Sequence, residues 1–533
     1  MVAEVFGTAF LIPAAECEFN MGPNEKGVLN AICYIGMITS SHLWGYLADT
    51  KGRRKMLILA LLVDGICSFV SSLSHAYWLF VTLRFLNGFF ICAPSAVVFA
   101  YLGEFHSQAT RTRAVLFMSV FLSLGGLLST SQGLAWLLIP KVWTLEIPWL
   151  GINYSSWRVF IVTGALPSFV AAFMLTFLLP ESPKYLFTVG KEQEALNVLR
   201  YVFSMNTGKQ PDEYPVTQVS LDEVEPEAAL KNKPVSPFGI MKNMWDQTKP
   251  LFQKRYVLLT SLAFIMQFSF YASFNGFAMW VPDIYNRYAM YSEIYPNQSF
   301  TICESIEGLK LSTIPDSFIE TMEVTTISYK NTIVNNINEI QLLNSSLDTF
   351  ADFNYNLTSV EKVNTIDDSQ LLNSTLKKNE QACISTVNPV AFRNSIIIGV
   401  FCMCTYSLAG IVIKFVDTKL LMAGCLLVSS ISGFCIYFAR TEWLIVMLCS
   451  LFIAMSGTCV NMLNSIVIDR IPTQLRAMAV CLSLMSGRLG VTVCSLVMGV
   501  LLETYCGAVY FMLGGIVLFC CLLSFLVPNS PKS

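Results

Sequence analysis

Apolar runs separated by short polar clusters recur along most of this chain. Unbroken stretches of about 17 to 25 apolar residues, long enough for a helix to cross a roughly 30 Å hydrocarbon layer, fall near 28–48, 56–74, 78–101, 114–138, 157–179, 256–282, 391–416, 420–437, 442–466, 478–501 and 508–527. A shorter run, residues 1–15, precedes Glu16 and Glu18. As helix it would reach only about 23 Å, so it reads as a first span without its beginning. Glu4 and the lack of a basic stretch before it weigh against a signal peptide. The pattern predicts an all-α membrane protein of twelve spans.

Composition agrees: of 533 residues 54% are hydrophobic and only 13% charged, too apolar for a soluble domain of this length. The lipid bilayer is therefore the first partner. A net charge of -2 gives no reason to expect nucleic acid. Most of the 17 cysteines lie inside the apolar runs, where a thiol behaves as a small buried hydrophobe.

Lys and Arg in short loops set orientation. Lys51, Arg53, Arg54 and Lys55 follow span 2, and Arg111 and Arg113 follow span 4, which makes those loops cytosolic. With twelve spans both termini are then cytosolic, in a vesicle or plasma membrane. Residues 187–255 form a polar cytosolic linker between an N-terminal half, 1–186, and a C-terminal half, 256–533. Within the linker "EALNVLRYVFSMN" has the period of a short amphipathic helix and "VSLDEVEPEAALKNKP" that of a flexible connector.

Residues 283–390 form the long loop on the other side, between spans 7 and 8. Glycosylation sequons begin there at Asn297, Asn344, Asn356 and Asn373, and a fifth at Asn153 falls on the same predicted face. Cys303 and Cys383, near the two ends of this loop, are candidates to close it with a disulfide. Ile337, Leu342 and Leu347 are spaced like a five-residue solenoid repeat, which Asp352 breaks. A loop of this size also offers a surface for protein partners.

The two halves echo each other. Glu104 stands seven residues before Arg111 and Asp469 seven before Arg476, and Asp49-Thr50-Lys51 recurs as Asp417-Thr418-Lys419. These cytosolic charge pairs indicate a pseudo-twofold bundle around a central cavity. Gly45, Asp49, Gly52, Arg53 and Arg54 are spaced as in the signature loop of the major facilitator superfamily, which this chain resembles. At the residue level Gly45 would admit a neighbouring helix, Asp49 would pair with an Arg or a helix N-terminus, and the bases would sit at the anionic leaflet. Arg84 with Gly88, Trp157-Arg158 and "PESPKYL" resemble the superfamily's sugar and organic-ion branch. "PAAECEF", "WTLEIPW", "SWRVF" and "WVPDIY", with the long glycosylated loop, are similar to the synaptic vesicle glycoprotein 2 family. The resemblance implies that spans 1, 4, 7 and 10 line the cavity and that the signature loop latches one state of a transport cycle.

Polar groups in those spans are the site candidates. Arg84 in span 4 needs a partner or water at membrane depth, and Glu4 in span 1 is one. Tyr271, Asn275, Trp280 and Asp283 in span 7 would present aromatic walls and an acidic rim to a small organic solute, although Trp280 also suits an interfacial belt. Asn461 and Asn464 in span 10 suit a ligand or interhelical hydrogen bonds. Asp64 in span 3 is either a proton site or a paired structural acid. No carboxylate pair, metal spacing, nucleophile elbow or phosphate loop stands out, so neither an enzyme nor a cofactor is expected. Two functions remain: a transporter of a sugar or organic ion by alternating access, or a vesicle-membrane glycoprotein that acts by binding or trafficking without transport.

Overall fold

The computed structural model describes residues 2–106, 121, 124–137, 145–147, 152–216, 249–254, 256–296, 298–312, 388–412, 415–470 and 473–527; of Asp49, Asn153, Asp469 and Arg476 it describes the backbone only. One compact unit comprises Met1–Ser305 with Ser385–Ser533, and Ile306–Ile384 is a second. Of the second unit the description covers only the end of a helix, Ile302–Ser312.

The helices of the first unit follow the predicted order. Span 1 is Val2–Phe19, span 2 Pro23–Lys51, span 3 Arg53–Ser71 and span 4 Tyr77–Glu104. Span 5 is helical over 124–136. Span 6 is Ser156–Phe177, span 8 Pro389–Val412, span 9 Thr418–Ile436, span 10 Glu442–Arg470, span 11 Thr473–Thr504 and span 12 Cys506–Ser524. Span 7 has two pieces, Val257–Tyr271 and Val281–Ile294, joined through a π-helical turn at Ala272–Gly276. Large apolar side chains such as Phe173, Phe177 and Trp443 point outward, as helices in lipid require.

Two boundaries differ from the hydropathy reading, for one reason. Span 1 runs on through Glu16 and Glu18, and span 7 continues to Ile294 rather than giving way to loop at residue 283. Each extension carries charges that interrupt the apolar run, yet those charges pair within the bundle: Glu16 with Lys26, Glu18 with Arg158, and Asp283 with Arg287. The helix therefore persists where hydropathy falls.

Packing repeats with a shift of six. Span 4 packs on spans 2 and 3, and span 3 on span 6; span 10 likewise packs on spans 8 and 9, and span 9 on span 12. This is the pseudo-twofold arrangement anticipated from the repeated loops. Span 2 also packs along span 11, and span 1 along the second piece of span 7, so both contacts cross between the halves.

Outside the spans, "PKYLFT" forms a short helix capped by Ser182, and Glu192–Thr207 is the amphipathic helix expected in the linker. Leu145–Ile147 and Ile152–Tyr154 pair as a two-stranded antiparallel ribbon that an all-helical reading omits. The connector "VSLDEVEPEAALKNKP" and the solenoid-like residues lie outside the described residues.

Candidate functional site

Four spans of the N-terminal half bring polar side chains into one buried core. Asp64 is fully buried and accepts from Asn87 Nδ2 at 2.6 Å and Ser168 Oγ at 2.9 Å. Ser68 donates to Glu4 Oε1 at 2.5 Å and receives Asn87 Nδ2 at 2.9 Å. Glu4 and Asp64 are close enough to act on each other electrostatically, and Glu4 Oε2 is buried without a hydrogen-bond partner among the described residues. The sequence thus assembles spans 1, 3, 4 and 6 around an acidic pair, and Asp64 proves to be a partnered acid.

Arg84 stands beside this network and acts on it electrostatically, yet it closes no ion pair with Glu4 or Asp64. Its guanidinium lies over Phe80, 5.1 Å from the ring centroid, and its Nε is buried without a hydrogen-bond partner. A buried polar group left unpaired costs about 1–3 kcal/mol, more if charged. Such a group is ready to receive a ligand or an incoming carboxylate. Gly88, one helical turn further along span 4, lets span 2 approach: a β-carbon there would overlap the carbonyl of Cys33.

Span 7 contributes its π-helical turn, a feature frequent at functional sites. Tyr271 precedes the turn and packs on Gly487 of span 11, and Asn275 is buried within it. Trp280 is only 1% exposed and packs against Gly499, so it is an interior residue and not a belt residue. In span 10 Asn461 is exposed, and the Oδ1 of Asn464 is buried without a partner.

Ion pairs close one face. Lys26, 2% exposed, holds Glu16 at 2.7 Å and reaches Asp283 at 3.7 Å; Arg287 continues the chain to Asp283 at 3.0 Å and Glu503 at 3.1 Å. Spans 1 and 2 are thereby tied to spans 7 and 11. Beside them Arg158 donates to Glu18 and to the carbonyls of Ser72 at 2.5 Å and Ser74 at 2.8 Å, while Trp157 Nε1 donates to Glu18 at 2.6 Å. Cys303 is joined to Cys506 on this same face. That replaces the expected Cys303–Cys383 bridge, because span 7 and the helix after it carry Cys303 to the start of span 12. Cys17 is also disulfide-bonded, while Cys383 lies outside the described residues.

The signature loop occupies the opposite face. Arg53 pairs with Glu104 at 2.8 Å, and Glu104 also accepts from Ser182. The Arg54 amide donates to Glu181 at 3.0 Å and its guanidinium to the carbonyls of Leu175 at 2.7 Å and Thr176 at 2.5 Å. Gly52 has φ +103° and would bring a β-carbon within 2.7 Å of Glu181. Its glycine identity is thus required by the turn. Gly45 differs from expectation: among the described residues no atom lies within 4 Å of a β-carbon placed there, and Gly88 provides the close helix approach instead. The side chains of Asp49, Asp469 and Arg476, all of Arg111, and the sequons at Asn297, Asn344, Asn356 and Asn373 lie outside the description; Asn153 sits in the second strand.

Sequence reasoning passed over Lys26, Arg287, Glu503, Asn87 and Arg488. The first three look like loop charges when hydropathy sets the span limits. Asn87 is polar but not charged. Arg488 carries the same signal as Arg84, a lone base within an apolar run, but in a span not expected to line the cavity.

With this arrangement established, likeness to known proteins becomes decisive. Residues 18–295 match the family of sugar (and other) transporters. The chain belongs to that family. Synaptic vesicle glycoprotein 2A of Bos taurus is 30% identical over 313 residues, 55% of this chain and 42% of that protein. Synaptic vesicle glycoprotein 2B of Rattus norvegicus is 30% identical over 329 residues, 58% and 46% respectively. The chain spans less than half the length of these curated relatives in its matches. Among solved structures, the inward-open xylose transporter XylE from E. coli aligns with a TM-score of 0.59 at 14% identity over 100% of this chain and 96% of that one. Its partially occluded inward-open form gives 0.57 at 15% identity, covering 99% and 98%. The family member described here therefore has the transporter fold of two six-helix halves.

Proposed function

We propose that this chain carries a small organic solute, a sugar or an organic ion, across a membrane by alternating access. The halves, 1–186 and 256–533, would rock about a site between them, with 187–255 as the linker. The observation that carries this reading is how the halves are joined. The Glu4, Ser68, Asp64, Asn87 and Ser168 network lies wholly within the N-terminal half, whereas at the ion-paired face the described salt bridge across the seam is Lys26–Asp283, the longest in its chain at 3.7 Å. A contact of that kind can open without dismantling either half.

Orientation follows from chemistry. Disulfides at Cys17 and Cys303–Cys506 belong to an oxidising compartment, so the ion-paired face is taken as lumenal or extracellular. The basic signature loop and both termini are then cytosolic, in a vesicle or plasma membrane, with the outer face closed. The cavity would be served by Glu4, Arg84, Tyr271, Asn275, Asn461 and Asn464; Trp280 and Asp283 would belong to the outer closure; Asp64 would hold the acidic pair in place. Gly52, Arg53, Arg54 and Glu104 would latch the inner ends of spans 2, 3 and 4. The long loop after span 7 would carry glycans and meet protein partners.

The test is uptake into proteoliposomes of a panel of sugars and organic ions, with Arg84→Ala at matched folding. Saturable uptake that the variant loses supports the reading. No uptake of any compound favours a vesicle-membrane glycoprotein that works through its loop.

A further inference from the structure

Beneath the ion-paired closure lie three buried polar residues drawn from both halves. Asn30 of span 2 and Ser495 of span 11 are fully buried, and Trp280, at the head of the second piece of span 7, is 1% exposed. Among the described residues no hydrogen-bond partner meets Asn30 Nδ2 or Oδ1, Trp280 Nε1 or Ser495 Oγ. These atoms share one stretch of the seam. A β-carbon on Gly499 would lie 3.3 Å from Gly27 and 3.4 Å from the Trp280 ring, and one on Gly27 would lie 3.1 Å from the Ser495 carbonyl. Ser495 precedes Gly499 by one helical turn and Asn30 follows Lys26 by one, so both take the helix face that meets the other half. Asp283, which Lys26 reaches at 3.7 Å, comes just after Trp280 in the chain.

A buried amide, indole N–H or hydroxyl without a partner is costly, and it recovers its hydrogen bonds once water reaches it. Closing this face therefore sets two terms against each other. Lys26 and Asp283 attract across the seam, while Asn30, Trp280 and Ser495 forgo the hydrogen bonds that the outer solution gives them when the halves part. An apolar set of the same shape would pack there without that loss. We propose that Asn30, Trp280 and Ser495 act as a counterweight to the outer closure, starved of hydrogen bonds when it shuts and hydrated when it opens, so that the shut face reopens in each cycle. The ion pair favours closure and the polar set resists it. This inference rests on the alternating-access reading above and adds to it the term that reopens the outer face.

Access to the seam from outside tests it, in sealed membrane vesicles that carry the full chain with its outer face exposed. Val491 of span 11, one turn inward from Ser495, is fully buried in a cluster with Tyr34 of span 2, so Val491→Cys, with other accessible thiols removed, reports opening. The background is Asp283→Asn, which weakens the attraction across the seam. There an impermeant methanethiosulfonate should react about 10-fold more slowly after Asn30→Leu, and about 5-fold more slowly after Ser495→Ala or Trp280→Phe. Each substitution removes the unpaired polar atoms and keeps most of the side chain's bulk. Loss of a merely structural contact would instead loosen the seam and speed the reaction. Ser495→Ala and Trp280→Phe decide the question if Asn30→Leu does not fold. An unchanged or faster reaction in the folded variants would overturn the inference and leave alternating access standing. No reaction from outside even in the Asp283→Asn parent would overturn alternating access and this inference with it.

Discussion

Removing the charge of Asp283 should open the outer face. Asp283 and Lys26 are each only 2% exposed and 3.7 Å apart, and at an effective dielectric constant of about 20 their attraction is about 4.5 kcal/mol. Much of that is recovered when the halves part, because Lys26 keeps Glu16 and Asp283 keeps Arg287. About 1–2 kcal/mol should remain as the net preference for closure, or about 5- to 30-fold in population. Ser495 is a suitable reporter. It is fully buried on span 11, two helical turns below Glu503, packs along Gly27 of span 2, and its hydroxyl has no partner. In a Ser495→Cys background with other accessible thiols removed, an impermeant maleimide applied from the outer side should react about 5 to 30 times faster after Asp283→Asn. Lys26→Met should behave alike, and the double variant should gain less than the sum of the two. Unchanged labelling in a folded Asp283→Asn protein, or strict additivity with Lys26→Met, would refute the reasoning.

Other consequences are structural. Gly52→Ala forces a side chain onto a left-handed turn and against Glu181, so thermal stability in detergent should fall by about 1–3 kcal/mol; an unchanged melting temperature would show that the turn relaxes freely. Peptide mapping without reduction should recover Cys303 linked to Cys506, and a Cys303–Cys383 peptide would contradict the packing of span 12. Arg158→Lys keeps the charge but cannot serve Ser72, Ser74 and Glu18 at once. It should lose about 2–4 kcal/mol of stability, read as melting temperature, and a loss below about 0.5 kcal/mol would make the network dispensable.

The fold was largely legible because lipid imposes a length and a polarity on each span, and the chain obeys both. Its ends were less legible. Glu16, Glu18 and Asp283 look like the edge of the membrane in one dimension, and only their partners, distant in sequence, show that the helices continue. Glu4, Asp64 and Arg84 stood out as charges in apolar runs, and they do converge. Asn87 and Ser68, which tie two of them together, carry no such signal because neutral polar residues are common in spans. Gly45 shows the opposite: a motif position was assigned a close helix approach that, among the described residues, is found at Gly88 instead. Arg488 was visible by the same rule as Arg84 and was missed because attention followed the expected cavity-lining spans.

The most direct test of alternating access is counterflow. Proteoliposomes loaded with an unlabelled solute that the chain accepts, then diluted into a trace of the labelled form, should accumulate label transiently above equilibrium, and Arg84→Ala should abolish the overshoot. A smooth approach to equilibrium with no overshoot, for a solute shown to bind, would contradict a carrier whose two halves expose one site to each side in turn.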